Sequence, residues 1–290
     1  MLNRQKTLLL LLEFARRPVS KLELTKWAFI LREEMPSRGG NAFYDFLPYK
    51  YGPFSFCLYR EMDALIRNGY VKDGEAWCST ALANEFIQTL SKDVKRDGQR
   101  VVERFSKEPV NRVVDYVYST FPRFTVNSEK KKMAKRFVAS PAVYMTGYEG
   151  LSVDAFLDRL IQNGIQQIID VRSNPVARRY GFHKSTLARL LNRVGIQYVH
   201  VPELGILSIF RQNLCSREDY DALFDQYERE TLERQTQSVF RVAELMAVKA
   251  SALVCMEADP EFCHRSRLAR NISKKTGLPI RDLGYTEHDW

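Results

Sequence analysis

Within Leu253 to Arg267, LVCMEADPEFCHRSR, two cysteines, three carboxylates, a histidine and two arginines stand between an apolar run and an amphipathic one. A thiolate nucleophile, an acid/base partner and a cationic anchor are the parts that nucleophilic and proton-transfer chemistry requires. The apolar run reads as a strand and the segment from Cys263 onward as a helix start, so the loop falls where open α/β sheets bind ligands. A cysteine beside Arg265 and a helix N-terminus is expected to titrate low, at about 3.5–7.5 in such settings. Cys263 is therefore the expected nucleophile or thiolate, with His264 and Glu257 as acid/base partners and Arg265 as an anion clamp. Glu257 and Glu261 oppose that shift. Cys255 reads equally well as a packed thiol. No metal is expected: the five cysteines contain no CxxC pair, and neighbours such as Cys263 and His264 rarely reach one ion together.

The elements that must position this loop follow from an alternation beginning near Ala142. Strands are expected over 142–146, 166–171, 196–201 and 251–257, and helices over 152–163, 184–194, 217–231 and 235–249. Strands alternating with helices give a mainly parallel sheet flanked by helices, an α/β domain over 142–290. The strand ends then bring Tyr148 and Glu149, Asp170 and Arg172, and Glu203 to the edge that carries the Cys263 loop. These five, with Arg265, are the expected ligand-binding residues; Arg172 and Arg265 would clamp an anion, and Gly147 and Gly150 would let a ligand approach the backbone. Asp170 and Arg172 fit a structural ion pair equally well.

Five motifs in this domain carry a family resemblance. TGYEGLSVDAF, IIDVRSNP, the Gly181-Phe182 pair before a helix, IQYVHVPELG and LVCMEADPEFCHRSRLA resemble, in order, the pattern of the domain of unknown function 488 family. The resemblance spans 143–270 and implies site roles for Tyr148, Glu149, Asp170, Arg172, Glu203, Glu257, Cys263, His264 and Arg265. It locates a site without naming a reaction. Leu151 and Ile206 depart from the pattern. The order DVR, strand, Cys255, Arg265 is also similar to the rhodanese plan. However, the loop after Cys255 is longer than that plan uses, and Glu257, Asp259 and Glu261 would repel an anion.

The first part of the chain reads differently. Helices over 5–16 and 20–34, an aromatic stretch from Phe43 to Tyr51, a helix opened by Gly52-Pro53-Phe54-Ser55 and closed by Asn68-Gly69, and a hairpin around Asp73-Gly74 are expected in that order. Further helices follow over 81–90, 97–106 and 109–120, the first capped by Ser79-Thr80. The arrangement is a mostly helical, winged-helix-like domain over 1–125, joined by a basic linker, 126–141, to the α/β domain. YKYGPFSFCLYREMDALIRNGYV resembles a segment of antitoxin-type and regulator domains in bacterial toxin and phage-defence loci.

Charge separates the two parts. Residues 1–140 hold 25 Lys/Arg against 16 Asp/Glu, whereas 141–290 hold 19 of each, so the whole surplus of +9 lies in the first part. A confined positive surplus suits a phosphate surface, so nucleic acid, DNA above all, is the expected partner. The aromatics 43, 44, 46, 49 and 51 are expected in the core rather than stacked on bases. No apolar run approaches the ~20 residues that span a bilayer, and Thr7 to Leu12 lacks a signal-peptide pattern, so a cytoplasmic location without membrane contact is expected. The expected function is a nucleic-acid-directed enzyme acting on a base or nucleotide, in a bacterial defence setting. The alternative is a winged-helix regulator whose second domain senses a ligand or modified nucleotide.

Overall fold

The computed structural model describes residues 1–212 and 214–284 and divides the chain into two compact units, 1–135 and 136–290. In the first unit α1 (Asn3–Ala15) carries the run Leu8 to Leu12, all five buried. The sequence suggests one apolar face, but Leu9 and Leu10 are enclosed too, because helices pack around it on several sides. A left-handed Arg16 ends the helix ahead of Pro18. β1 (Val19–Ser20) leads into α2 (Lys21–Glu34), where the Ser20 hydroxyl accepts the Glu23 N–H and caps the first turn. The hairpin β2 (Leu47–Tyr49) and β3 (Gly52–Phe54) precedes α3 (Phe56–Arg67), which Gly69, at φ 76°, closes.

β4 (Val71–Lys72) and β5 (Ala76–Ser79) form the second hairpin, and β5 also pairs with β1, giving an antiparallel sheet in the order β1-β5-β4. Then come α4 (Asn84–Gln88), α5 (Lys92–Phe105) and α6 (Val110–Thr120). Thr80 does not cap a helix as its position suggests; its hydroxyl donates to the Gly69 carbonyl and fastens the hairpin to the end of α3. Phe43, Tyr44 and Phe46 are core residues, Tyr49 is half-buried and Tyr51 is exposed. The segment expected as a linker is bonded into both units: Glu129 N–H donates to Lys50 O and Met133 N–H to Thr125 Oγ1 in the first, and Arg136 donates to Val194 O in the second.

The second unit is a five-stranded, wholly parallel sheet in the order β10-β6-β9-β7-β8, flanked by helices. Its elements are β6 (Val143–Gly147), α7 (Val153–Gln162), β7 (Gln167–Asp170), α8 (Lys184–Arg193), β8 (Gln197–His200), α9 (Arg217–Gln226), α10 (Thr236–Val248), β9 (Ser251–Cys255), α11 (Arg265–Thr276) and β10 (Ile280–Asp282). A single π turn, Tyr227–Leu232, continues α9. β9 sits at the centre between β6 and β7 and is buried throughout, as a strand covered on both faces must be. β10 is the one strand the alternation does not announce, being short and half-exposed beside β6. Among the described residues no helix is long and apolar enough to cross a membrane.

Candidate active site

A parallel sheet delivers its strand ends to one edge, and here three adjacent strands deliver the chemistry. β9 ends in Cys255, β7 in Asp170 followed by Arg172, and β6 in Gly147 followed by Tyr148. They surround a pocket of about 300 Å³ lined by Tyr148, Arg172, Ser173, Asn174, Ile206, Arg211 and Cys255 among others. A larger cavity of about 420 Å³ lies beside it, lined by Glu203, Tyr227, Glu230 and Arg234, with no cysteine or histidine. Cys255 and Arg211 open onto the smaller one.

Cys255, Cys263 and His264 are all buried, and Cys255 Sγ, Cys263 Sγ and one ring nitrogen of His264 lie within 4.8 Å of one another. Each sulfur is 3.9 Å from His264 Nδ1. The His264 Nε2–H donates to Val171 O at 3.2 Å, which leaves Nδ1 as an acceptor, and Arg211 Nη2 donates to it at 2.8 Å. Arg211 also pairs with Glu257 at 2.7 Å. The second Glu257 oxygen, Oε2, is buried without a hydrogen-bond partner. Burial, followed by the charge of Cys255, raises the Glu257 pKa.

The two thiols divide their roles opposite to expectation. Cys255, which accepts a hydrogen bond from Cys263 and has His264 and Arg211 alongside, is held well below the usual thiol range. Cys263 is pushed well above it by burial and by its hydrogen bond to Cys255. The expected low-pKa Cys263 is thus corrected to Cys255. The helix start is where the sequence puts it, with His264 at the N-cap, but Cys263 lies inside at 1% exposure. The reason for expecting no metal also gives way: Cys263 is extended at φ −134° and His264 helical at φ −59°, which turns the two neighbours toward one point.

Arg265 is corrected from anion clamp to loop anchor. It is fully buried and donates to the carbonyls of Glu257 at 2.6 Å and Ala258 at 2.9 Å. Glu149 holds the same loop from the other side, its Oε2 accepting the Ala258 N–H at 3.0 Å. Gly147 is needed for the loop rather than for a ligand: a Cβ there would lie 1.8 Å from the Glu257 carbonyl oxygen.

Arg172 is likewise committed within the protein. It pairs with Asp170 through two nitrogens, at 2.8 and 2.5 Å, and donates to the Tyr148 hydroxyl at 3.0 Å and Phe182 O at 2.9 Å. Tyr198 donates to Asp170 at 2.7 Å, and His200 Nε2 meets Arg172 O at 2.9 Å. Tyr148 stacks on Phe182 at 4.1 Å between centroids. This network forms one wall of the pocket, and Asp170–Arg172 is a buried ion pair. Glu203 stands apart, exposed, accepting from the Ser238 hydroxyl and lining the larger cavity.

Sequence reasoning misses Arg211, Tyr198, His200 and Tyr227. The spacing of Tyr198 and His200, two apart on a strand, is a legible signal that both face one side. Arg211 and Tyr227 carry none: Arg211 ends a short turn, Ser208–Arg211, and Tyr227 lies at the π turn with its ring 5.3 Å from that of His264.

Residues 152–272 match the model of the family described as domain of unknown function DUF488, in the second unit and overlapping the span of the motif resemblance almost throughout. No curated protein and no solved structure matches the chain.

Proposed function

We propose that the protein is a nucleic-acid-directed enzyme whose second unit acts on a base or nucleotide in the pocket above Cys255. One observation carries the reading: Cys255, Cys263, His264, Glu257 and Arg211, residues from three segments, converge at the carboxyl edge of a parallel sheet beside an open pocket. Buried unpaired polar atoms and clustered ionisable groups are costly to a fold and concentrate at working sites. The reacting groups of this reading are Cys255, which lines the pocket, and the Glu257 carboxyl, paired beside it with Arg211. The Arg172 network forms a fixed wall, since its polar atoms are spent on Asp170, Tyr148 and Phe182.

The first unit supports the other half of the proposal through its topology and charge. The order α1, β1, α2, α3, β4, β5 with strand order β1-β5-β4 is compatible with the winged-helix reading, with β2 and β3 as an insertion. Its would-be reading helix α3 is charge-balanced, with Arg60 and Arg67 against Glu61 and Asp63. A run of three consecutive positive charges, Lys130, Lys131 and Lys132, is exposed throughout. Backbone contact, rather than base reading, is therefore the proposed mode.

The test is mass spectrometry of nucleotides and oligonucleotides incubated with the full chain and with Glu257→Gln. Glutamine keeps an acceptor for Arg211 and removes the carboxyl. The expected result is a product formed by the native chain and a rate lower by at least ~100-fold in the variant. Equal rates would remove Glu257 from the chemistry, and no product from any base or nucleotide would favour the sensor reading.

A further inference from the structure

The Cys255, Cys263 and His264 donors have the chemistry and spacing of a metal centre. Zn–S bonds of about 2.3 Å and Zn–N bonds of about 2.0–2.1 Å put tetrahedral ligand atoms roughly 3.5–3.8 Å apart. Here each sulfur is already 3.9 Å from Nδ1, so small side-chain movements close the set. His264 is oriented as a metal ligand must be, with Nε2–H fixed on Val171 O and Nδ1 turned to the sulfurs. A cationic group already meets the lone pair a metal would take, for Arg211 Nη2 donates to that same Nδ1.

We propose that Cys255, Cys263 and His264 bind one divalent, thiolate-preferring cation, zinc by donor type, with Arg211 standing in its place in the structure described. Three protein donors leave one coordination position, as in catalytic rather than structural zinc sites. Cys255 lines the pocket, so that position is reachable by water or substrate. Arg211 yields without leaving the site: it lies on the turn Ser208–Arg211, where Ile209 and Phe210 are exposed, and keeps its pair with Glu257. Glu257, two residues from Cys255, has its Oε2 buried without a partner while its Oε1 pairs with Arg211. The inference goes beyond the proposed function, because the centre stands whether the pocket turns over a substrate or only holds one.

The experiment is titration of the reduced, chelator-treated full chain with Co²⁺, read by absorption, then displacement by Zn²⁺. One Co²⁺ per chain is expected, with intense tetrahedral bands and a thiolate-to-cobalt charge-transfer band. Cys255→Ser and Cys263→Ser should each weaken that band, while Cys215→Ser, at an exposed cysteine outside the cluster, should leave it unchanged. Arg211→Ala should bind Co²⁺ at least ~10-fold more tightly, since it removes the competing cation; a merely structural Arg211 would not give that sign. Absence of a charge-transfer band, a band that survives both cysteine substitutions, or unchanged or weaker binding by Arg211→Ala would each overturn the proposal. Because binding is read without substrate, failure here is separable from failure of the Glu257→Gln assay.

Discussion

At the residue scale the decisive difference lies between two cysteines. The sequence shows Cys263 beside His264 and Arg265, and adjacency alone makes it the activated thiol. Burial and partner choice decide otherwise: Arg265 spends its guanidinium on loop carbonyls, and Arg211, more than forty residues upstream, supplies the cation. No local pattern could report that pairing. Arg172 illustrates the same limit from the other side, since DVR announces an arginine at a strand end but not that Asp170 and Tyr148 claim it. Arg172→Ala should therefore cost about 3–5 kcal/mol of stability by leaving Asp170 buried without its partner. A denaturation midpoint close to that of the native chain would return Arg172 to ligand binding. In the first unit, Lys26 donates to Tyr51 O and Pro53 O, and burial lowers its pKa to about 7 from 10.5. Between those values the unfolded chain holds a proton that the folded chain lacks, so this group makes stability rise with pH across the window and leaves it at its lowest below about 7. Melting temperatures of the native chain and Lys26→Met from pH 7 to 10 should diverge in that direction, and parallel curves would contradict the shift.

At the element scale the sequence is read more reliably, for a physical reason. Hydrophobic periodicity and caps are local, so four of the five parallel strands and the helices between them are announced. Ser152, for example, caps α7 by accepting the Ala155 N–H. β10 escapes because a three-residue edge strand has too little pattern to stand out, and α1 is misjudged because a helix enclosed on several sides loses its polar face. The site depends on one close approach between elements, where Gly147 at the end of β6 meets the Glu257 backbone. Gly147→Ala should push that loop away and cost about 1–3 kcal/mol, as overpacking does. Backbone cannot yield as a flexible side chain can, so an alanine variant with native stability would show that the loop has freedom this packing denies.

At the scale of the whole molecule, charge and chemistry lie in different units: the surplus falls in the first and the reactive cluster in the second. Composition alone reveals the charge partition, but not that α3 is balanced and that the lysines at 130–132 form an exposed positive run. Replacing Lys130, Lys131 and Lys132 by alanine should weaken duplex DNA binding and lower the salt slope by about one for each phosphate no longer neutralised. If nucleic acid gathered by the first unit meets chemistry in the second, turnover of a free nucleotide and of the same base within an oligonucleotide should respond differently to that charge. Both are to be measured in parallel for the native chain and the triple lysine variant. The rate on the free nucleotide should be unchanged and kcat/KM on the oligonucleotide lower, with the deficit shrinking as salt rises; equal kcat/KM for the two chains on both substrates, or turnover of neither by the native chain, would contradict the proposed division of labour.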